Sequence, residues 1–263
     1  MKFNLVFIFV SVVGSLMAPV GHAEMANTIS SVKPAVVIVG TYKQTNSPRF
    51  NLRGTGFVVA RDNQARSNLV VTNAHVLQQP DQEEMDAALV VQVRVSGNDL
   101  QMRAATVLEV DKVHDLALLR IEGPEVVGLR VRDSDGVQEG QAVAFMGFPI
   151  GGALGFSPVT HRGMISSITP AALPTANANQ LNAQAIRSLR SSNTFDIFQL
   201  DGTAYPGNSG GPLFDPLNGD VLGVVNMVFI KGTRESALTH PSGISYAIPS
   251  RFVLQLLQRY KQP

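Results

Sequence analysis

Apolar residues in this chain fall into short runs punctuated by turn residues, a pattern that predicts strands. Ala35-Val36-Val37-Ile38-Val39 ends at Gly40, and Gly56-Phe57-Val58-Val59-Ala60 follows. Leu69-Val70-Val71-Thr72 comes after a polar turn. Val91, Val93 and Val95 alternate with Gln92 and Arg94, as in a half-buried strand. Ala117, Leu119 and Ile121 alternate with Leu118 and Arg120, and Ala142–Phe145, Phe195–Leu200, Val221–Ile230 and Ile244–Ile248 continue the series. Asn218-Gly219, between Leu213-Phe214 and Val221, is a hairpin signal, because Asn-Gly suits a turn with φ > 0 at both central residues. So many short strands predict an all-β architecture of barrels or sandwiches. Helical spacing is confined to two stretches. Ser250 can cap a helix over 250–260 whose Phe252, Val253, Leu256, Leu257 and Tyr260 share one face. Ala178–Leu189 is weaker and lies in a polar, Ala/Asn/Gln-rich segment, 171–193, that reads as a surface insertion. The polar run Arg130–Gly140 is the natural link between two halves.

Composition narrows the class. With 263 residues, 44% of them apolar, the chain can bury a sizeable core in one domain or two small ones. Residues 1–23 read as a targeting segment. Lys2 supplies a positive start, Leu5–Val20 is mostly apolar, and Gly21-His22-Ala23 puts small residues at the −3 and −1 positions of a cleavage site. Cleavage there predicts an exported protein, periplasmic or secreted, that starts near Glu24 and keeps no membrane span; an uncleaved anchor is the alternative. Lys2 is the only charge before Glu24, so the remainder carries 20 basic and 20 acidic residues, a balance that argues against a nucleic-acid surface. The absence of cysteine excludes disulfides, thiolate metal sites and a cysteine nucleophile. Five scattered histidines do not suggest a metal site, and no cofactor is implied.

Gly207-Asn208-Ser209-Gly210-Gly211-Pro212-Leu213 sets a serine among glycines just before a strand. Glycines let the backbone take positive φ and approach a ligand, so such a loop can present a hydroxyl while its N–H groups converge. A Gly-rich hairpin with an inert serine is the plain alternative. In Val71-Thr72-Asn73-Ala74-His75-Val76-Leu77 a histidine follows a strand; alone it reads as readily as a core or surface residue. Asp115 opens the run Leu116–Leu119, where aspartate is commonly a turn residue. Together they are a stronger signal. A serine hydroxyl needs a base to take its proton, histidine can serve, and a carboxylate on the other ring nitrogen fixes the tautomer. The order His75, Asp115, Ser209 is that of the chymotrypsin type.

The chain resembles trypsin-fold serine proteases of the HtrA (Deg) family. The resemblance runs through Ser31–Val37, Gly54–Val59, Thr72–Val76, Asp115–Leu119, Gly147–Gly151, Gly207–Leu213 and Gly243–Ser250, in family order over nearly all of the chain after residue 23. It implies two six-stranded antiparallel β-barrels with a C-terminal helix. The first, within 24–132, carries His75 and Asp115; the second, within 133–263, carries Ser209. The site lies in the cleft between them. By this resemblance His75 is general base then acid, Asp115 orients it, and Ser209 attacks the scissile carbonyl. The N–H groups of Gly207 and Ser209 form the oxyanion hole, with Asn208 shaping the loop. The specificity pocket falls on Thr203, Ala204, Tyr205, Val225, Asn226, Met227 and Val228. Val225, Met227 and Val228 carry no charge, which predicts cleavage after small or medium aliphatic residues.

The resemblance implies polypeptide substrates and carries with it a homo-oligomer built on N-terminal contacts. The activity it implies is that of an exported endopeptidase working on unfolded or exported proteins. A catalytically silent chaperone on the same fold is the alternative from another class. Digestive proteases of related fold pair a carboxylate just before the nucleophile with a freshly cut N-terminus. Asn208 carries no charge, so control is expected in loop ordering, with 151–163 and 171–193 as candidates. No PDZ module is expected after the terminal helix. Val159–Gly163 is one residue longer than the family pattern, so His161 reads as an extra cleft residue or as part of a solvated turn, and the turn is favoured.

Overall fold

Helix α1 (Val20–Val32) and a 3-10 turn (Lys33–Ala35) lead into β1 (Val36–Tyr42), β2 (Phe50–Val58), β3 (Arg66–Ser67) and β4 (Leu69–Asn73). A 3-10 turn (Ala74–Leu77) precedes β5 (Ala88–Ser96), β6 (Asp99–Asp111), β7 (Leu116–Ile121) and β8 (Val126–Val127). Then come β9 (Ala142–Gly147), β10 (Val159–Ala171), β11 (Phe195–Asp201), β12 (Pro212–Phe214), β13 (Val221–Asn226), β14 (Ile244–Pro249) and helix α2 (Ser250–Lys261). The computed structural model describes residues 20–61, 64–78, 86–97, 99–149, 156–171, 194–226 and 244–261. Residues 1–19 of the targeting segment, 151–155 of the first control loop, the helix expected over 178–189 with the rest of 172–193, and 227–230 of the expected Val221–Ile230 strand lie outside them. So do the pocket candidates Met227 and Val228.

Strands β1, β2, β4, β7, β6 and β5 close into one antiparallel barrel, and β9, β10, β11, β14, β13 and β12 into a second. Successive strand side chains point to opposite faces. In β1, Val37 and Val39 therefore enter the first barrel's interior with Val58, Val70 and Leu119. Val36 and Ile38 face outward, into an apolar layer that Met146, Phe214 and Val224 of the second barrel share. Burial on both faces is why these strands read as unbroken apolar runs. The second barrel is filled by Phe145, Phe198, Leu200, Leu213 and Val225.

Three of the longer elements were not expected. Strands β6 and β10 are long, β6 largely exposed and β10 mostly half-buried, and neither carries an apolar alternation. His161 accordingly lies within a strand and not in a turn, opposite Phe145 in register. Helix α1 runs through the expected cleavage point after Ala23. Its Thr28 Oγ1 donates to Leu217 O at 3.2 Å, seating it on the β12–β13 hairpin. That hairpin turns at Asn218-Gly219 as anticipated, but only Gly219 takes positive φ, 78°.

Helix α2 buries Phe252, Val253 and Leu256 against both barrels, each side chain contributing about 2 kcal/mol of transfer free energy. Its cap is not the one the sequence suggested. Ser250 Oγ donates to Arg132 O at 2.5 Å, while Ser134 Oγ accepts the Arg251 N–H at 3.1 Å. The serine that satisfies the helix start therefore comes from the link between barrels. Ser250 is wholly buried and ties that link down.

Candidate active site

The end of β4 and the start of β7 lie side by side, with Asn73 opposite Leu116 in register. This pairing brings Asp115 against the 3-10 turn that carries His75. Asp115 accepts the His75 backbone N–H on Oδ1 at 2.8 Å and meets His75 Nδ1 with Oδ2 at 2.5 Å. Its carbonyl accepts from Ala74 N–H and from Asn73 Nδ2, both at 3.0 Å. Four contacts thus fix one aspartate on three consecutive residues. Asp115 has φ of 52°, the only positive value among the described non-glycine residues. Asp tolerates this region better than most side chains. A carboxylate can only accept, so Nδ1 carries the proton and Nε2 is left bare toward the cleft.

The second barrel supplies a further contact. Asn226, wholly buried at the end of β13, donates Nδ2–H to Asp115 Oδ2 at 2.7 Å. Asn226 is a specificity-pocket candidate by sequence, and in the structure its amide braces the aspartate. Strand parity could have separated it from Val225. Val225 faces the second barrel's interior along with Ala204, so neighbouring Asn226 must face the other barrel. Of the remaining pocket candidates, Thr203 and Tyr205 are partly exposed beside buried Ala204. Ser245 pins that segment, accepting the Ala204 N–H and donating to Gly202 O, both at 2.6 Å.

Ser209 is held by its backbone. Thr55 N–H donates to Ser209 O at 2.9 Å, and Gly210 N–H donates to Val225 O at 2.9 Å, so the 209–210 peptide is fixed at both ends. The 207–208 peptide is fixed likewise: Thr55 Oγ1 donates to Gly207 O at 2.6 Å and Asn208 N–H to Tyr205 O at 2.9 Å. Between them, Asn208 O accepts from Gly211 N–H at 3.0 Å. A peptide's N–H opposes its C=O, so the Ser209 N–H is turned the other way. Gly207 takes φ of 104°. The N–H groups of Gly207 and Ser209 find no acceptor among the described residues. Two unpaired donors thus flank Asn208, the kind of groups that a developing oxyanion needs. Gly210 takes φ of 86°, and a Cβ there would stand 2.1 Å from Thr55 O. Sequence reasoning included Thr55 in a motif but did not see it as the clamp on this loop.

The two halves meet at Gly54. A Cβ built there would lie 3.0 Å from Ser209 O and 2.7 Å from a Val76 methyl, so the loop and the histidine turn abut across one glycine. The Ser209 hydroxyl has no hydrogen-bond partner among the described residues.

Two antiparallel six-stranded barrels, with a histidine–aspartate pair from one facing a serine loop from the other, define a fold of the trypsin-like class. The chain belongs to the trypsin-like peptidase domain family, whose model matches residues 54–224. It is 32% identical over 208 residues to a probable periplasmic serine endoprotease DegP-like of Marinomonas sp. (strain MWYL1), covering 79% of this chain and 35% of that protein. It is 30% identical over 243 residues to serine protease HTRA4 of Mus musculus, covering 90% of this chain and 41% of that one. Among solved structures, the HtrA-type protease AlgW with tripeptide superposes with a TM-score of 0.62 at 25% identity, over 90% of this chain and 64% of that one. The chain thus spans well under half the length of these two sequence relatives.

Proposed function

We propose that this protein is an exported serine endopeptidase acting on polypeptides. The observation that carries the reading is the junction of the Asp115–His75 pair with a serine loop holding two unspent N–H groups. In this reading Ser209 Oγ attacks the scissile carbonyl carbon while its proton passes to His75 Nε2. The carbonyl oxygen becomes an oxyanion received by the N–H groups of Gly207 and Ser209. Collapse breaks the C–N bond, and His75 returns its proton to the leaving amine. Water then repeats the sequence on the acyl-enzyme and restores Ser209. Asp115 keeps the imidazole in the productive tautomer and offsets its charge. The Ser209 hydroxyl is not yet engaged by His75, as is common before substrate binds, when catalytic hydrogen bonds are long.

Several features support the finer reading. The relatives are named as serine endoproteases, the bacterial one as periplasmic, and the apolar segment before residue 24 fits export. The reading of small or medium aliphatic P1 residues rests on the uncharged pocket candidates Val225, Met227 and Val228. The test is Ser209→Ala with a casein digest and fluorophosphonate labelling. Loss of the nucleophile is expected to lower turnover on the order of a million-fold and to abolish labelling. Digestion by the variant at the parent's rate would sink the proposal.

A further inference from the structure

Asn208 carries no charge and so forms no ion pair with an ammonium group, yet it sits between the two residues whose N–H groups are unpaired. Its side chain is wholly buried. On one side it meets β9, where a Cβ on Gly147 would stand 2.8 Å from Asn208 Oδ1. On the other, Asn208 Nδ2 lies 3.5 Å from His161 Nε2. Asn208 Oδ1 has no hydrogen-bond partner among the described residues, so the imidazole is the side-chain amide's one hydrogen-bond partner there. The ring itself is anchored. It stacks on Phe145 at 4.7 Å with planes 12° apart, and the Tyr205 ring lies 6.2 Å away.

An amide N–H can donate to Nε2 only if that nitrogen is bare, which requires a neutral ring with its proton on Nδ1. Burial lowers the pKa of His161 and so favours the neutral form. No charged side chain among the described residues contributes to that shift. Tyr205 is the titratable group facing the ring, and Arg162, next along β10, points to the opposite face.

We propose that His161 is a positioning residue for the oxyanion loop: its imidazole accepts the Asn208 side-chain amide and thereby keeps the Gly207 and Ser209 N–H groups aimed at the cleft. The inference rests on the reading of Ser209 as the nucleophile. It deepens that reading by naming what stands where related enzymes use an N-terminal ion pair. His161 touches no substrate atom and acts through Asn208 alone.

The test compares His161→Phe with His161→Gln on a peptide substrate. Phenylalanine keeps the stack on Phe145 and removes the acceptor; glutamine restores an acceptor oxygen. H161F is expected to lower kcat about tenfold with KM within about twofold, and H161Q to recover most of the loss. Parental kcat in H161F overturns the proposal, as does an equal loss in both variants. A second measurement stands apart from turnover: ring titration of His161 by NMR in the parent and in Asn208→Ala. The donated amide stabilises the neutral ring, so N208A is expected to raise the His161 midpoint. An unchanged midpoint overturns the pairing. A parent that neither cleaves peptide nor takes a fluorophosphonate at Ser209 removes the protease reading, while the NMR result still decides the pairing.

Discussion

Two aspartates four residues apart each hold a histidine, by nearly the same bonds. Asp115 Oδ2 meets His75 Nδ1 at 2.5 Å and Asp115 Oδ1 accepts the His75 backbone N–H. Asp111 Oδ2 meets His114 Nδ1 at 2.8 Å and Asp111 Oδ1 accepts the His114 backbone N–H at 3.1 Å. The difference lies in what else each pair touches. His114 is stacked on Phe252 at 3.9 Å with Phe195 edge-on at 4.7 Å, and Arg259 Nη2 donates to Asp111 Oδ2 at 2.7 Å. That pair clasps α2 to the β6–β7 corner, and a permanent cation already answers its carboxylate. Around Asp115 the additional donor is the neutral amide of Asn226. The carboxylate is positioned but its charge is not cancelled, so that charge remains free to stabilise an imidazolium. In the proposed reading an Asp–His pair serves catalysis through a neutral brace and an open ring nitrogen, while the other serves structure through a cation and an aromatic cage.

Substitution of the two aspartates tests this contrast most severely. Asp115→Asn is expected to lower kcat roughly ten-thousand-fold, because an amide supports the wrong tautomer, with little change in melting temperature. A modest loss of kcat would place the essential carboxylate elsewhere. Asp111→Asn is expected to do the reverse. It should leave kcat near the parent's and cost on the order of 2 kcal/mol, read as a fall in Tm of roughly 4–8 °C for a chain of this size. The pH dependence follows from the same pair. Burial would raise the Asp111 carboxyl, but hydrogen bonds from His114 and Arg259 outweigh it and hold it well below its ordinary value. A depressed folded-state pKa adds stability that is present above the ordinary carboxylate range and is lost as pH falls through the folded value. Melting curves of the parent and D111N should therefore draw closer as pH falls from 7 to 2 without meeting, because the folded-state carboxyl still carries charge there. A constant gap would show that the clasp does not act through this ionisation.

How much of this was legible in the sequence depended on burial. Strands such as β1 and β4, buried on both faces, announce themselves as apolar runs. β6 is largely exposed and β10 mostly half-buried while both are paired on both edges, and backbone pairing leaves no mark on side-chain pattern. His161 was misread for that reason: its segment looked polar and turn-like, yet closure of the barrel makes it a strand. The order of His75, Asp115 and Ser209 was legible because each stands in a recognisable local setting. Thr55 and Asn226 were not, since their tasks are set by contacts across the two barrels. Thr55 reaches Gly207, 152 positions along the chain, and Asn226 reaches Asp115 over 111. Ser250 looked like a cap because local sequence favours serine there, but the acceptor it satisfies lies on Arg132.

The smallest of these effects is the sharpest probe of the neutral brace. Asn226→Ala removes one donor from Asp115 Oδ2 and leaves the His75 contacts in place. A hydrogen bond to a charged group contributes about 1.5–3 kcal/mol, but the His75 bonds persist and water can partly replace the amide. A fall in kcat of about tenfold is therefore expected, with KM near the parent's, since Asn226 acts on Asp115 and not on substrate. Sequence reasoning put Asn226 in the specificity pocket, and that placement predicts the opposite split: a changed KM and altered P1 preference at nearly constant kcat. Steady-state kinetics on a small set of peptides differing only at P1 distinguishes the two. A shift in P1 preference at parental kcat would return Asn226 to the pocket and leave Asp115 braced by the first barrel alone.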